Sequence, residues 1–293
     1  MVMAALELET RLHRLLSNAQ TETANIDLFA PIPEREECPI CMIPLPYNQG
    51  ETVFNTCCGK RVCKGCILKK MFNYEIDGTP QHEQKCAFCR RVIQSQSNNT
   101  IKQLKKLMKN NHPDAFIMMA NHYKTGDLVF QSDTKALEMY TRAAELGHFD
   151  AYLKIGEYYY EGIAVNQNTS KALYFLEVAA KKGSLYAHTR LAGFYGMSMN
   201  WNKHKLIKHT TVAANAGCKI AMDALMKFYR EKILSKEELT QTLHAFQAAS
   251  NELKSKEREA ALIFERQLPP RLHRHPKPNV KCVTQITPNI RLL

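Results

Sequence analysis

From Asp114 onward the sequence repeats itself every 36 residues. DAFIMMANHYKTG (114–126) aligns with DAYLKIGEYYYEG (150–162), so that Asp114 and Asp150, Ala115 and Ala151, Tyr123 and Tyr159, and Gly126 and Gly162 correspond. KALEMYTRAAELG (135–147) and KALYFLEVAAKKG (171–183) continue the register. A third copy runs from Ala187 (AHTRLAGFY) to VAANAG (212–217), two residues shorter in its middle. A fourth starts at Ala221 (AMDALMKFY) and decays into SKEELTQTLHAFQAAS (235–250).

Each copy reads as two helices. The first ends near Tyr-x-x-Gly; the second is preceded by Ser or Thr and stopped by Gly147, Gly183 or Gly217, since glycine just past a helix accepts the left-handed conformation. Small residues such as Ala115, Ala143 and Ala144 allow close helix approach, while Leu and Tyr fill the space between pairs. Tyr123, Tyr159 and Tyr195 are expected as core or helix-contact tyrosines. One helix pair cannot bury its apolar face alone, so the copies must stack into an α-solenoid.

The pattern A-x-x-x-x-G-x-x-Y-x-x-G … K-A-L-x-x-x-x-x-A-A-x-x-G resembles Sel1-like repeats, relatives of the tetratricopeptide family, over about residues 112–230. In the third copy Gly196, Met197 and Trp201 disturb the loop. The resemblance implies an adaptor surface for a protein target.

A second pattern precedes the repeats: Cys38-x2-Cys41-x15-Cys57-Cys58-x4-Cys63-x2-Cys66-x19-Cys86-x2-Cys89. Eight thiols suffice for two tetrahedral zinc sites, and each CxxC turn offers half a site. The remaining halves must come from distant segments, which would brace a short region, with Gly50, Gly59, Gly65 and Gly78, that lacks a large core. A zinc ribbon or a redox CxxC are the alternatives, and His82 is a substitute donor if only one of Cys57 and Cys58 ligates. Cys218 and Cys282 stand apart and read as ordinary reduced thiols.

In order and spacing, CPIC, CCGKRVCKGC and CAFCR together resemble the RING finger over about residues 36–93. That resemblance implies two zinc ions bound crosswise: Cys38, Cys41, Cys63 and Cys66 on one, and Cys57, Cys58, Cys86 and Cys89 on the other, in an all-cysteine version. It further implies a ubiquitin ligase that acts by positioning, with no covalent step of its own. Ile40 would offer an apolar contact to a ubiquitin-conjugating enzyme. Ile67 and Leu68 would begin the helix on the other side of that groove. Arg90 would bridge ubiquitin and the conjugating enzyme, a role that suits the planar fork of a guanidinium.

The expected architecture is therefore mostly α: a small zinc-braced RING-like domain followed by an α-solenoid. Residues 1–30 form an amphipathic helix with Leu6, Leu12, Leu15 and Leu16 apolar, joined by a linker at Pro31, Pro33 and Glu34–Glu37. The finger occupies 36–93, and the repeats 112–250 as about 114–147, 150–183, 186–217 and 220–250. A helix end and a basic, Pro-containing tail fill 251–293.

Glu7, Glu9, Arg11 and Arg14 interrupt the N-terminal apolar residues, which does not suit a signal-peptide core, and no uncharged run reaches the ~20 residues of a membrane span. A reducing compartment, cytoplasm or nucleus, is the expected setting, and ten cysteines there argue for metal before disulfides. The net charge of +12 is spread along the chain without a basic stripe carrying interleaved aromatics, so a protein partner is expected before a nucleic acid. P-loop, HExxH and GxSxG motifs do not occur.

Overall fold

The computed structural model describes residues 2–47, 51–68, 85–86, 88–91 and 97–267. Gly50, Gly78, His82, Cys282 and the tail beyond 267 lie outside them. The described residues divide into two compact units: 2–33 with 116–249, and 34–115 with 250–267.

The sequence period becomes a helix period. The leading helices begin at Pro113, Phe149, Leu185 and Lys219, spaced 36, 36 and 34 residues apart. The following helices are Asp133–Glu145, Thr169–Lys181, Lys203–Asn215 and Lys236–Glu252. Ser132, Asn168 and Asn202 cap the first three of these, each accepting from the backbone N–H three residues on (Lys135, Lys171 and Lys205). The cap is thus Ser or Asn, not the Ser or Thr expected: Asn places the same short oxygen acceptor at that backbone N–H. In the fourth copy Ser235 and Glu238 exchange side-chain-to-backbone bonds in a reciprocal cap.

The capped lysine does a second job in each of the first three copies. Its ammonium lies over the ring of the tyrosine that ends the preceding helix: Lys135 on Tyr123 at 5.7 Å, Lys171 on Tyr159 at 5.3 Å, Lys205 on Tyr195 at 4.7 Å. The same tyrosines accept, on their carbonyls, the N–H of the capping residue. So the repeated Tyr and Lys of the motif close the loop within each pair, and Tyr159 and Tyr195 are also buried.

Gly147, Gly183 and Gly217 end the second helices with φ of 86°, 97° and 90°. In each, the glycine N–H and the N–H of the next residue reach back to the paired alanines, as in His148 to Ala143 and Gly147 to Ala144, which satisfies the last carbonyls. The third copy differs where its loop is two residues shorter. Gly196 takes φ −86° instead of the positive φ of Gly126 and Gly162, and a 3-10 turn, Ser198–Asn200, carries the chain onward.

The N-terminal helix Val2–Thr23 packs on Asp133–Glu145 and Thr169–Lys181. Leu8, Leu12, Leu15, Ala19 and Thr23 are buried at steps of four, three, four and four, a single helical stripe. Leu6 falls off that stripe and is 64% exposed, and Leu16 lies at its margin. Arg11 grips Glu145 through two bonds of 3.0 and 2.9 Å, and Lys181 donates to the carbonyl of Thr23 at the helix end.

In the second unit, strands β1 (Thr52–Asn55) and β2 (Lys60–Cys63) pair antiparallel, Thr52 opposite Cys63 and Asn55 opposite Lys60. The turn between them closes with the N–H of Cys58 and of Gly59 on the Asn55 carbonyl, Gly59 at φ 73°. One helical turn, 64–68, follows β2 directly. The helix Ser97–Lys109 buries Leu104, and Thr56 bonds Gln103 at 2.6 Å. No described helix is long and apolar enough to cross a membrane.

Candidate metal centres

The hairpin explains how one short stretch can serve two centres. Cys57 and Cys58 sit in its turn, while Cys63 ends β2 and Cys66 lies in the helical turn beyond. Between that turn and Cys63 runs the extended β2, Lys60–Cys63, about 10 Å from end to end at 3.3 Å per residue. Sulfurs so far apart cannot share an ion bound at about 2.3 Å. The strand therefore sends each pair to its own end.

Two sulfur clusters result. Cys38, Cys41, Cys63 and Cys66 have their Sγ atoms mutually within 4.8 Å, as do Cys57, Cys58, Cys86 and Cys89. Cys38 lies 4.0 Å from Cys66, Cys41 3.8 Å from Cys63, and Cys58 3.7 Å from Cys86. Four thiolates tetrahedrally placed around a zinc-sized ion stand about 3.8 Å apart, whereas a disulfide brings sulfurs to about 2.05 Å. The donor set thus fits a tetrathiolate ion at both places, and these described cysteines are unpaired as disulfides.

The two CxxC turns at Cys38 and Cys86 have one backbone design. The first cysteine donates its N–H to the carbonyl five residues on, Cys38 to Ile43 at 2.9 Å and Cys86 to Arg91 at 2.8 Å. The residue after the second cysteine donates back to the first, Met42 to Cys38 and Arg90 to Cys86. Such closure points backbone N–H groups at the first sulfur. Burial pushes the Cys38 thiol up, but N–H groups of Cys63, Cys41 and Ile40 outweigh it and bring it down to about 7. Burial likewise raises Cys86, and the N–H groups of Cys89 and Phe88 bring it to about 7. Cys41, Cys57, Cys58 and Cys66 move upward, through burial first and then through neighbouring sulfurs. Each cluster therefore sets a lowered thiol, Cys38 or Cys86, beside raised ones, Cys41 and Cys66 or Cys57 and Cys58.

A small core supports the first cluster: Cys38, Leu45, Val62, Cys63 and Cys66, with Val53 and Ile67 against it. Around the second, Arg91 donates to the Cys57 carbonyl at 3.4 Å and the His112 Nε2 lies 3.0 Å from the Gly59 carbonyl. His112 also meets Phe54 edge-on at 5.4 Å, and Arg61 pairs with Asp114.

Ile40, Ile67, Leu68 and Arg90, the residues expected to meet a conjugating enzyme, differ in exposure. Ile40 is 43% exposed within the first turn. Ile67 and Leu68 lie in the helical turn, half-buried, with Ile67 packed on the core. Arg90 is exposed and follows the last cysteine at φ 60°. Absent from the sequence reading was Arg258, buried against the first cluster from far along the chain. A lone arginine in a charged helix carries no spacing signal.

The Sel1 repeat family model matches residues 113–148 and 149–184. No curated protein matches the chain. Among solved structures, a Sel1 repeat protein from Oxalobacter formigenes is 24% identical, covering 64% of this chain and 81% of that one, with a TM-score of 0.47. A protective antigen of uropathogenic Escherichia coli displaying an SLR fold is 18% identical, covering 68% and 44%, with a TM-score of 0.46, so the chain spans under half of its length. Residues 113–184 are thus a pair of Sel1 repeats, and the same chain carries two cysteine groups able to hold metal ions.

Proposed function

We propose that residues 36–93 form a RING-type finger holding two zinc ions, and that the chain is a ubiquitin ligase or ligase-like adaptor whose repeats select a protein target. The observation that carries this reading is the alternation of ligands. The first and third cysteine pairs converge, and so do the second and fourth.

When bound, zinc would supply the folding free energy that a region with so small a core lacks, about 10 kcal/mol or more per structural ion. The chain's own residues do the rest by positioning. Ile40 is open to an apolar contact, Ile67 and Leu68 form the adjoining helical turn, and Arg90 presents its guanidinium at the surface. The partner these residues would engage is a ubiquitin-conjugating enzyme carrying a thioester-linked ubiquitin.

An autoubiquitination assay with a panel of conjugating enzymes tests the reading. Ligation by the wild-type chain, lost in Ile40→Ala and Arg90→Ala variants that keep their metal, supports it. Undiminished ligation in both variants removes the mechanism. The second reading, a zinc-braced scaffold without ligase activity, draws on Ile67: its packing in the core withdraws part of the surface a conjugating enzyme would use.

A further inference from the structure

Arg258 lies in the helix Lys256–Gln267 and is 8% exposed. Its Nη1 donates to the Pro44 carbonyl at 2.9 Å and to the Leu253 carbonyl at 3.2 Å. Its Nη2 donates to the Ile43 carbonyl at 3.1 Å and lies 3.8 Å from the Cys41 Sγ. Its backbone N–H is held by the Ser255 hydroxyl at 3.2 Å. A buried guanidinium needs an opposite charge, because an unpaired one is costly to desolvate. Among the described residues no carboxylate pairs with it; every acceptor is a carbonyl except the sulfur of Cys41.

The approach is built from both sides. A Cβ on Gly65, which lies between Cys63 and Cys66, would stand 2.8 Å from the Arg258 backbone N and from the Glu257 carbonyl carbon. Only glycine lets the two backbones meet so closely. Four thiolates around a divalent cation carry a net charge of minus two, and that charge is the missing counterpart of the buried cation. The 3.8 Å contact to sulfur is long for a hydrogen bond, so its effect is mainly electrostatic; the two bonds to the Ile43 and Pro44 carbonyls fix the loop, and the one to Leu253 holds the side chain in place.

We infer that Arg258 is a positioning residue for the first metal centre: it clamps the Ile43–Pro44 loop behind Cys41 and offsets the charge of the Cys38, Cys41, Cys63 and Cys66 tetrathiolate. This inference rests on the zinc reading of the cysteines. It makes the helix that follows the solenoid a part of the metal module, 217 residues downstream of the cysteine it supports. Partners of this kind tune metal affinity by about 10- to 100-fold.

The test uses the full chain loaded with zinc, the metal being followed with a chromophoric chelator, in wild type, Arg258→Gln and Arg258→Lys. The expected result is two ions in the wild type and release of one of them about tenfold faster or more in Arg258→Gln, the other being unchanged. Arg258→Lys, which keeps the charge and loses the fork, is expected to fall between. Equal release of both ions at the wild-type rate, or equal acceleration of both, overturns the inference. In the cadmium-113 form of the unmodified chain, coupling from the Arg258 guanidinium protons, or their protection from exchange, supports the contact. Freely exchanging protons overturn it even if the variants do not fold. A wild-type chain with no zinc fails the zinc reading itself, an outcome distinct from two ions that ignore Arg258.

Discussion

Met42 and Arg90 share one backbone conformation, φ 57° and 60°, each directly after the second cysteine of a CxxC turn. Each donates its N–H to the first cysteine of its own turn. The left-handed conformation costs a non-glycine residue about 1 kcal/mol, and the turn imposes it at both places. Backbone geometry at Arg90 therefore belongs to the metal turn, and its exposed side chain is left for another role.

That separation makes a clean prediction. Arg90→Ala keeps the turn and two bound ions but lowers ligation at least tenfold, measured as autoubiquitination beside metal content. Loss of an ion in this variant would assign Arg90 to the turn alone.

Gly65→Ala forces a methyl group into the backbone of Glu257 and Arg258. It is expected to speed loss of one ion selectively, the same phenotype as Arg258→Gln, and to cost about 1–3 kcal/mol through overpacking. Chelator kinetics and thermal melting report the two effects separately.

The N-terminal helix is held by its buried stripe, with Leu12 only 1% exposed. Leu12→Ala should cost about 2–4 kcal/mol. Proteolysis within residues 2–23 should then precede cleavage of the solenoid, while Leu6→Ala, at an exposed position, should change neither measurement by more than about 0.5 kcal/mol.

His188 and His209 are buried with their Nδ1 atoms 3.1 Å apart, and Phe29 and Tyr195 lie against the His209 ring. Burial lowers His188 to about 4 and, with the charges of His188 and Lys205, lowers His209 to about 3. Both are neutral in the fold and take up protons near pH 6.5 when unfolded. The unfolded chain thus binds more protons as pH falls below about 6.5, and stability drops by about 2 kcal/mol per histidine between pH 7 and 5. His209→Gln should show a smaller drop over that range than wild type, read as the difference in Tm. An equal drop in both would place the pH dependence elsewhere.

The solenoid could be read directly because its units are local. Ala115 with Ala151, Tyr123 with Tyr159 and Gly147 with Gly183 each recur at the distance where the same contact recurs. The loop of the third copy escaped that logic, because two missing residues changed the backbone at Gly196. The N-terminal helix was legible as a helix but not in its exact face: Leu6 and Leu8 compete, and only the partner surface decides. The crosswise grouping of the cysteines was legible through the likeness of their ordered pairs to the RING finger, whereas the β1–β2 hairpin that holds Cys57 and Cys58 away from Cys63 carried no signal of its own. Arg258 does not, because a contact across more than two hundred residues leaves no period and no spacing behind.

Which four sulfurs share an ion is read directly by a proton–cadmium-113 correlation spectrum of the cadmium-substituted chain. Two cadmium resonances are predicted, one correlating with the β protons of Cys38, Cys41, Cys63 and Cys66, the other with those of Cys57, Cys58, Cys86 and Cys89. A single resonance, or a grouping of Cys38 and Cys41 with Cys57 and Cys58, would contradict it.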